Sequence, residues 1–241
     1  MSIILVLLIF IILYKSKFIK QGINEEYISI KTTKIINGIF VIFIFLSHSF
    51  QYINYSDSWI DRYGIFVISN IGQLMVTTFL FFSGYGIYES IKNKKEDYID
   101  SIPKKRILNT LIKFDIAVLI FCIVSYILNI RYNIKTILLS FLGLESVGNS
   151  NWYIFVILVL YLITYLVFKL LRVKNVIKIG VVTACTLLYM FIMANFKETW
   201  WYNTALCYPL GMWFSLYKSK IEEKLKMNEK YYYLALISSI I

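Results

Sequence analysis

Long apolar segments recur along this 241-residue chain and constrain its fold more than any other feature. A helix needs about 20 mostly apolar residues to cross roughly 30 Å of hydrocarbon at about 1.5 Å per residue. The chain is 59% hydrophobic and 16% charged, whereas soluble domains are about 45–50% apolar and about 25% charged. The sequence therefore predicts an all-α, polytopic transmembrane helix bundle of about eight helices, forming one membrane-embedded domain over residues 1–241. Its predicted segments are 2–14, 35–53, 69–91, 111–130, 152–168, 176–196, 204–217 and 231–241.

The basic residues lie between the apolar segments, and their distribution predicts the topology. Four alternate connections, at 15–34, 92–113, 169–178 and 218–230, hold 21 of the 25 Lys and Arg residues. Because cytoplasmic loops carry the basic excess, we predict a multi-pass protein of the cell membrane with an extracytoplasmic N-terminus. This topology accounts for the net charge of +11. No nucleic-acid partner is predicted, since binding one needs basic residues gathered on one folded face.

The two ends of the chain, its prolines and its cysteines give a few further expectations. Segment 2–14 has neither a basic flank before it nor a small-residue cleavage site after it, so we interpret it as an uncleaved anchor. The last apolar run stops at residue 241, so we expect further C-terminal helices beyond this sequence. Pro209 is expected to kink the helix of segment 204–217. The three cysteines lie inside apolar segments at no metal-like spacing, so no metal site is predicted.

His48, the only histidine in the chain, is the strongest candidate for chemistry. Polar groups inside membrane segments are costly and are therefore functional candidates. Asn37 precedes His48 by eleven residues, which at about 100° per residue places both on nearly the same helix face, about 16 Å apart. Lys34 is close to that face as well. This polar stripe predicts a helix that faces a polar cavity; the alternative is an interfacial histidine satisfied by water.

Three sequence patterns together resemble the membrane acyltransferase-3 family. In that family a basic residue followed by Gly precedes a histidine by eleven positions, and here Asn37 and Gly38 precede His48. Residues 79–87 read Phe-Leu-Phe-Phe-Ser-Gly-Tyr-Gly-Ile, similar to the family's Phe-Phe-x-Ser-Gly-[Phe/Tyr] helix. Residues 149–154 are similar to the family's external segment in which a Trp opens a helix. The chain departs from the family where Asn37 replaces the basic residue, and it is shorter than the family's usual ten-helix domain.

The resemblance implies transfer of an acyl group, usually acetyl from acetyl-CoA, to a hydroxyl of an extracytoplasmic carbohydrate, with no bound cofactor. His48 would then act as general base or carry the acyl group, because a neutral imidazole can accept the hydroxyl proton near pH 7. Substrate or donor binding would involve Lys34, Asn37, Ser83, Tyr85 and Trp152. The partners implied are the lipid bilayer, acyl-CoA and a carbohydrate acceptor.

Structural roles compete with these assignments. Ser83 and Gly84 are also suited to close helix packing, and Trp152 to an interfacial aromatic belt. The inner-surface residues Lys104, Lys105 and Arg106 can attract the phosphates of CoA or can simply set the topology. At the level of the whole protein, the rivals are a transporter or flippase for an envelope glycan precursor and a catalytically inactive membrane scaffold.

Overall fold

The computed structural model describes residues 10–14, 24–49 and 59–227, and within these ranges it is helical with no β-strand. We label the seven α-helices in chain order. They are α1 (Ile30–Ser49), α2 (Trp59–Ile102), α3 (Asn109–Ile127), α4 (Ile134–Phe141), α5 (Trp152–Leu170), α6 (Asn175–Met193) and α7 (Cys207–Met227). A π-helix, Pro103–Leu108, joins α2 to α3, and a 3-10 turn, Thr199–Trp201, precedes α7. The expected count of about eight helices is therefore not confirmed, and the final predicted segment, 231–241, lies outside the described residues.

Four stretches of the described residues are long and apolar enough to cross a membrane, which supports a multi-pass membrane protein. They are Ile30–Ser49, Gly72–Ile127, Trp152–Leu170 and Asn175–Met193. The stretch Gly72–Ile127 covers most of two predicted apolar segments, 69–91 and 111–130, with the basic run 92–106 between them. Both segments therefore lie in one nearly continuous helical stretch, which consists of α2, the π-helix and α3.

The outer face of α3 shows why a bilayer suits this fold. Ile116, Leu119, Ile120, Ile123 and Ile127 recur at three- and four-residue spacing, and each is at least half exposed. On the inner side, the same helix buries its Phe, Val and Ser residues at positions 114, 118 and 125. A contiguous apolar stripe of this kind is unfavourable in water, whereas lipid tails are as apolar as the side chains.

The helix containing Pro209 differs from the sequence-based expectation. Helix α7 begins at Cys207, so Pro209 stands in its first turn rather than in its interior. Proline is tolerated there because the first turn has no intrahelical acceptor for its missing N–H. The expected kink is therefore wrong. The second half of α7 is rich in Lys and Glu, and α7 is not among the apolar stretches that could span a membrane.

The chain divides into two compact units, Met1–Phe79 with Tyr217–Ile241, and Leu80–Leu216. In the first unit, the Tyr27 hydroxyl donates to Glu222 over 3.2 Å, and Lys226 pairs with Glu25 at 3.1 Å. These contacts join the turn that precedes α1 to the charged half of α7. The single membrane-embedded domain over residues 1–241 stays a prediction.

The core of the second unit is a close crossing of α2 and α7. A Cβ built on Gly84 would lie 1.9 Å from the Tyr208 carbonyl oxygen, and one built on Gly211 would lie 2.1 Å from the Phe81 carbonyl oxygen. The two glycines therefore let the backbones touch from both sides. Fully buried side chains surround this contact, among them Leu80, Ile87, Leu160, Tyr208 and Met212.

Candidate functional site

The polar positions of α1 differ in their exposure. Lys34 and His48 are exposed and Asn37 is half-buried. The Asn37 Oδ1 atom is buried and accepts no hydrogen bond from the described residues. A buried amide oxygen without a donor is unfavourable by about 1–3 kcal/mol. This face of α1 therefore carries a hydrogen-bond acceptor that no described residue satisfies.

His48 lies in the last turn of α1, which ends at Ser49. Its imidazole is exposed and makes no hydrogen bond to the described part of the chain. The adjoining Ser49 hydroxyl donates to the Phe45 carbonyl over 2.8 Å and so caps its own helix. The Ser49 hydroxyl proton is thus committed to its own helix, whereas the His48 ring is bonded to no described residue.

Ser83 and Gly84 separate the two roles that the sequence left open. Gly84 forms the close helix crossing. Ser83 is half-buried, and its Oγ accepts a hydrogen bond from the Tyr161 hydroxyl over 3.4 Å and also bonds the side chain of Tyr153. Gly84 therefore serves helix packing, whereas Ser83 belongs to a polar cluster between helices.

The structure brings Trp152 to the same cluster through its neighbour. Trp152 opens α5, is half-buried, and its ring lies edge-on to that of Tyr153 at 6.2 Å between centroids. Tyr85 faces elsewhere: its ring lies 6.1 Å from the ring of Phe214. Of the predicted residues in this unit, Ser83 and Trp152 are thus linked through Tyr153, while Tyr85 packs among aromatic side chains.

A half-buried arginine lies among buried tyrosines, a set of contacts that sequence reasoning did not predict. The Arg106 Nε donates to the Tyr98 hydroxyl over 2.8 Å, and its guanidinium lies 6.0 Å from the centre of the Tyr161 ring. The Tyr161 ring is edge-on to Tyr208 at 6.1 Å, and the Tyr208 hydroxyl is 2.8 Å from Thr164 Oγ1. Tyr98, Tyr161 and Tyr208 are all buried. We call Ser83 and these five residues the arginine–tyrosine cluster.

The electrostatics of this cluster favour an anionic ligand. Arg106 pairs with no carboxylate in the part of the chain that the structure describes. The phenol oxygen and the ring face compensate its desolvation only in part, since cation–π contacts are worth about 0.5–2 kcal/mol and an ion taken from water loses several kcal/mol. Lys104 and Lys105 beside it are exposed. The three were grouped as one basic surface run, but only Arg106 enters the protein.

No sequence signal indicated this placement. The three tyrosines come from α2, α5 and α7, and their residue numbers show no shared period. The π-helix begins at Pro103 and contains Arg106 and both lysines, of which only Arg106 is half-buried. Among the described residues no group of His, Cys, Asp and Glu is arranged to hold a metal ion.

Comparison with known families gives one match. The model of the acyltransferase-3 family, described as an acyltransferase domain, matches residues 34–241. No curated protein and no solved structure shows significant similarity to this chain. The matched region includes α1 to α7 apart from the first four residues of α1, and so contains both His48 and the arginine–tyrosine cluster.

Proposed function

Because the chain belongs to the acyltransferase-3 family, we propose that it is a membrane O-acyltransferase that moves an acetyl group from acetyl-CoA to a hydroxyl of an extracytoplasmic carbohydrate. The family match supports acyl transfer, and the apolar helices support a membrane location. The donor, the acyl group, the acceptor, the cell membrane and an extracytoplasmic N-terminus are parts of the proposal. It is supported by the distribution of basic residues and by the two sites described above.

The arginine–tyrosine cluster is the observation that carries the donor assignment. Arg106 follows the basic run of the connection that the loop charges assign to the cytoplasm, where CoA is found. A guanidinium recognises phosphate oxygens through two parallel N–H donors, and this one has no carboxylate to neutralise it among the described residues. We assign Arg106 to an anionic group of the donor, with Lys104 and Lys105 attracting the donor at the surface.

His48 is assigned the proton transfer of the reaction. As the acceptor oxygen attacks the thioester carbonyl, its proton passes to the imidazole; the carbon–sulfur bond then breaks and the thiolate of CoA takes up a proton. In the other route the imidazole itself attacks the thioester, forms an acyl-imidazole and releases CoA before the hydroxyl attacks. The exposure of the His48 ring is compatible with both routes.

Asn37 stands where the family has a basic residue. An asparagine offers amide donors but no positive charge. We propose that Lys34, one turn earlier on α1, supplies the charge. Restoring the family residue with Asn37→Arg tests this point. If the natural chain is active, Lys34→Gln should abolish the activity. Its recovery in the double variant Lys34→Gln/Asn37→Arg would support the proposal. Activity only in Asn37→Arg would indicate an inactive scaffold instead.

The central experiment measures carbohydrate-bound acetate at the surface of cells that express each variant. His48→Ala is expected to lower the acetylation rate at least about a hundredfold, the usual contribution of a general base. Ser49→Ala, in the same helical turn, is the matched control and is expected to stay near the natural level. Full acetylation by His48→Ala at an equal protein level would reject the proposal. Transport of unmodified glycan with no acyl transfer by the natural chain would establish the transporter alternative.

A further inference from the structure

A basic cavity lies where α5 turns into α6, and none of its lining residues belongs to the arginine–tyrosine cluster. Its volume is about 280 Å³, and its walls are formed by Glu96, Phe168, Lys169, Leu171, Arg172 and Lys178. Sites for drug-sized ligands occupy about 300–1,000 Å³, so this one suits a small polar group rather than a whole nucleotide coenzyme. The residues come from α2, the end of α5, the connecting turn and the first turn of α6.

The charges in this cavity are only partly neutralised. Lys169 bonds Asp100 on α2. Lys178 donates to the carbonyl of Phe168 over 3.2 Å and stands 5.3 Å from the centre of its ring, which fixes its ammonium at the wall. Arg172 is exposed and pairs with no carboxylate among the described residues. Lys169 is therefore neutralised by Asp100, and two further basic residues, Arg172 and Lys178, face one carboxylate, that of Glu96.

The surroundings of the cavity are those of a membrane boundary. Leu170 is 71% exposed, and Val173, Val176 and Ile177 are between 43% and 51% exposed. These apolar side chains lie in the same turn as Arg172 and at the junction of two candidate spans, Trp152–Leu170 and Asn175–Met193. Exposed apolar groups beside a cationic cavity suit a ligand that combines acyl chains with a phosphate.

We propose that this cavity binds the phosphate of an anionic phospholipid headgroup. Arg172 and Lys178 contact the phosphate oxygens, and the lipid's acyl chains lie along Leu170 and Val173. Each basic residue near an anionic membrane surface raises the affinity for that surface about fivefold. A guanidinium adds paired N–H donors of fixed geometry. Glu96 limits the affinity by repelling the phosphate. This site is independent of the proposed acyl transfer.

Native mass spectrometry of the purified full chain in detergent, titrated with phosphatidylglycerol or phosphatidylcholine, tests the proposal. The natural chain is expected to retain phosphatidylglycerol in preference to phosphatidylcholine. Replacing Arg172 and Lys178 together by Gln is expected to lower phosphatidylglycerol affinity about 25-fold, from about fivefold for each charge. Glu96→Gln is expected to raise that affinity, and Arg172→Lys to retain most of it.

The matched control replaces Lys94 and Lys174 by Gln. Both are exposed, neither lines the cavity, and their loss removes the same two charges from the same predicted side. Equal losses of affinity in the two double variants would show diffuse surface attraction and overturn the proposal, as would unchanged binding in the cavity variant. Displacement of the lipid by millimolar inorganic phosphate would assign the cavity to soluble phosphate and likewise overturn the lipid assignment.

Discussion

Substitution of Gly84 by Ala is expected to weaken the second unit strongly, because the new methyl group would collide with backbone. Its Cβ would lie 1.9 Å from the Tyr208 carbonyl oxygen. Real Cβ atoms essentially never approach within 3.0 Å of another heavy atom, so α2 and α7 must separate by at least 1.1 Å, the difference between these two distances. A rotamer change cannot relieve this contact, since the neighbour is a main-chain carbonyl.

The size of the effect follows from opposing contributions. Overpacking of a well-packed contact costs about 1–3 kcal/mol, and occasionally more. Alanine in place of glycine recovers up to about 1 kcal/mol of helix propensity. Because both sides of this contact are backbone, we expect a cost at the upper end of the range and a net loss of about 2 kcal/mol. For chains of 150–250 residues this corresponds to a fall in Tm of about 4–8 °C.

Thermal unfolding of the purified protein in detergent measures this loss of stability, with size-exclusion chromatography as the readout of the folded fraction. Gly86→Ala is the control in the same helix, since its Cβ meets no atom within 4 Å; it is expected to be neutral or slightly stabilising. Gly211→Ala is expected to resemble Gly84→Ala. The double variant should lose less than the sum, because helices already separated by one methyl group accommodate the second. Equal Tm values for Gly84→Ala and Gly86→Ala would refute the reasoning.

Three further predictions concern polar contacts. Arg106→Gln is expected to raise the KM for acyl-CoA at least tenfold in a membrane assay, and Lys104→Gln to change it severalfold at most; equal effects would place the donor at the surface only. Thr164→Val leaves the buried Tyr208 hydroxyl without its 2.8 Å partner, so unfolding should become easier by about 1–3 kcal/mol, and an unchanged Tm would contradict this. Asn133→Ala removes the oxygen that accepts the Thr136 N–H at the start of α4, and helix α4 should lose about 1 kcal/mol, measured as faster amide exchange over 134–138.

The helical class and the main helix positions could be predicted because they depend on local patterns. Runs of apolar residues with few Gly or Pro residues specify helices wherever a bilayer is present, and α5 begins at Trp152 as the apolar pattern indicated. The error at Pro209 arose at a boundary, because the apolar run begins at Thr204 whereas the helix begins only at Cys207. Propensity does not fix such boundaries when a preceding turn continues the apolar pattern.

The polar sites were predictable only where one residue type was rare. His48 is the only histidine, so it was conspicuous without any structural information. Arg106 is one of 25 basic residues, and it differs from Lys105 by its contacts with Tyr98, eight residues away, and with Tyr161, which is far away in sequence. The cavity at Arg172 and Lys178 depends likewise on Glu96 from another helix. Such juxtapositions are decided by helix packing, which a local pattern does not contain.

Lys95 interrupts α2 three residues before Tyr98, the hydrogen-bond partner of Arg106. Its φ of 47° and ψ of −130° interrupt a 44-residue helix, in a region of backbone space that glycine occupies far more readily than lysine. Tyr98 comes three residues later, and its hydroxyl accepts a hydrogen bond from the Nε of Arg106, eight residues further along the chain. An unfavourable lysine conformation therefore lies within one helical turn of the phenol to which the Arg106 Nε donates. If residue 95 adopted ordinary helical backbone angles, the chain would keep its membrane spans, but Arg106 would lose its alignment with Tyr98.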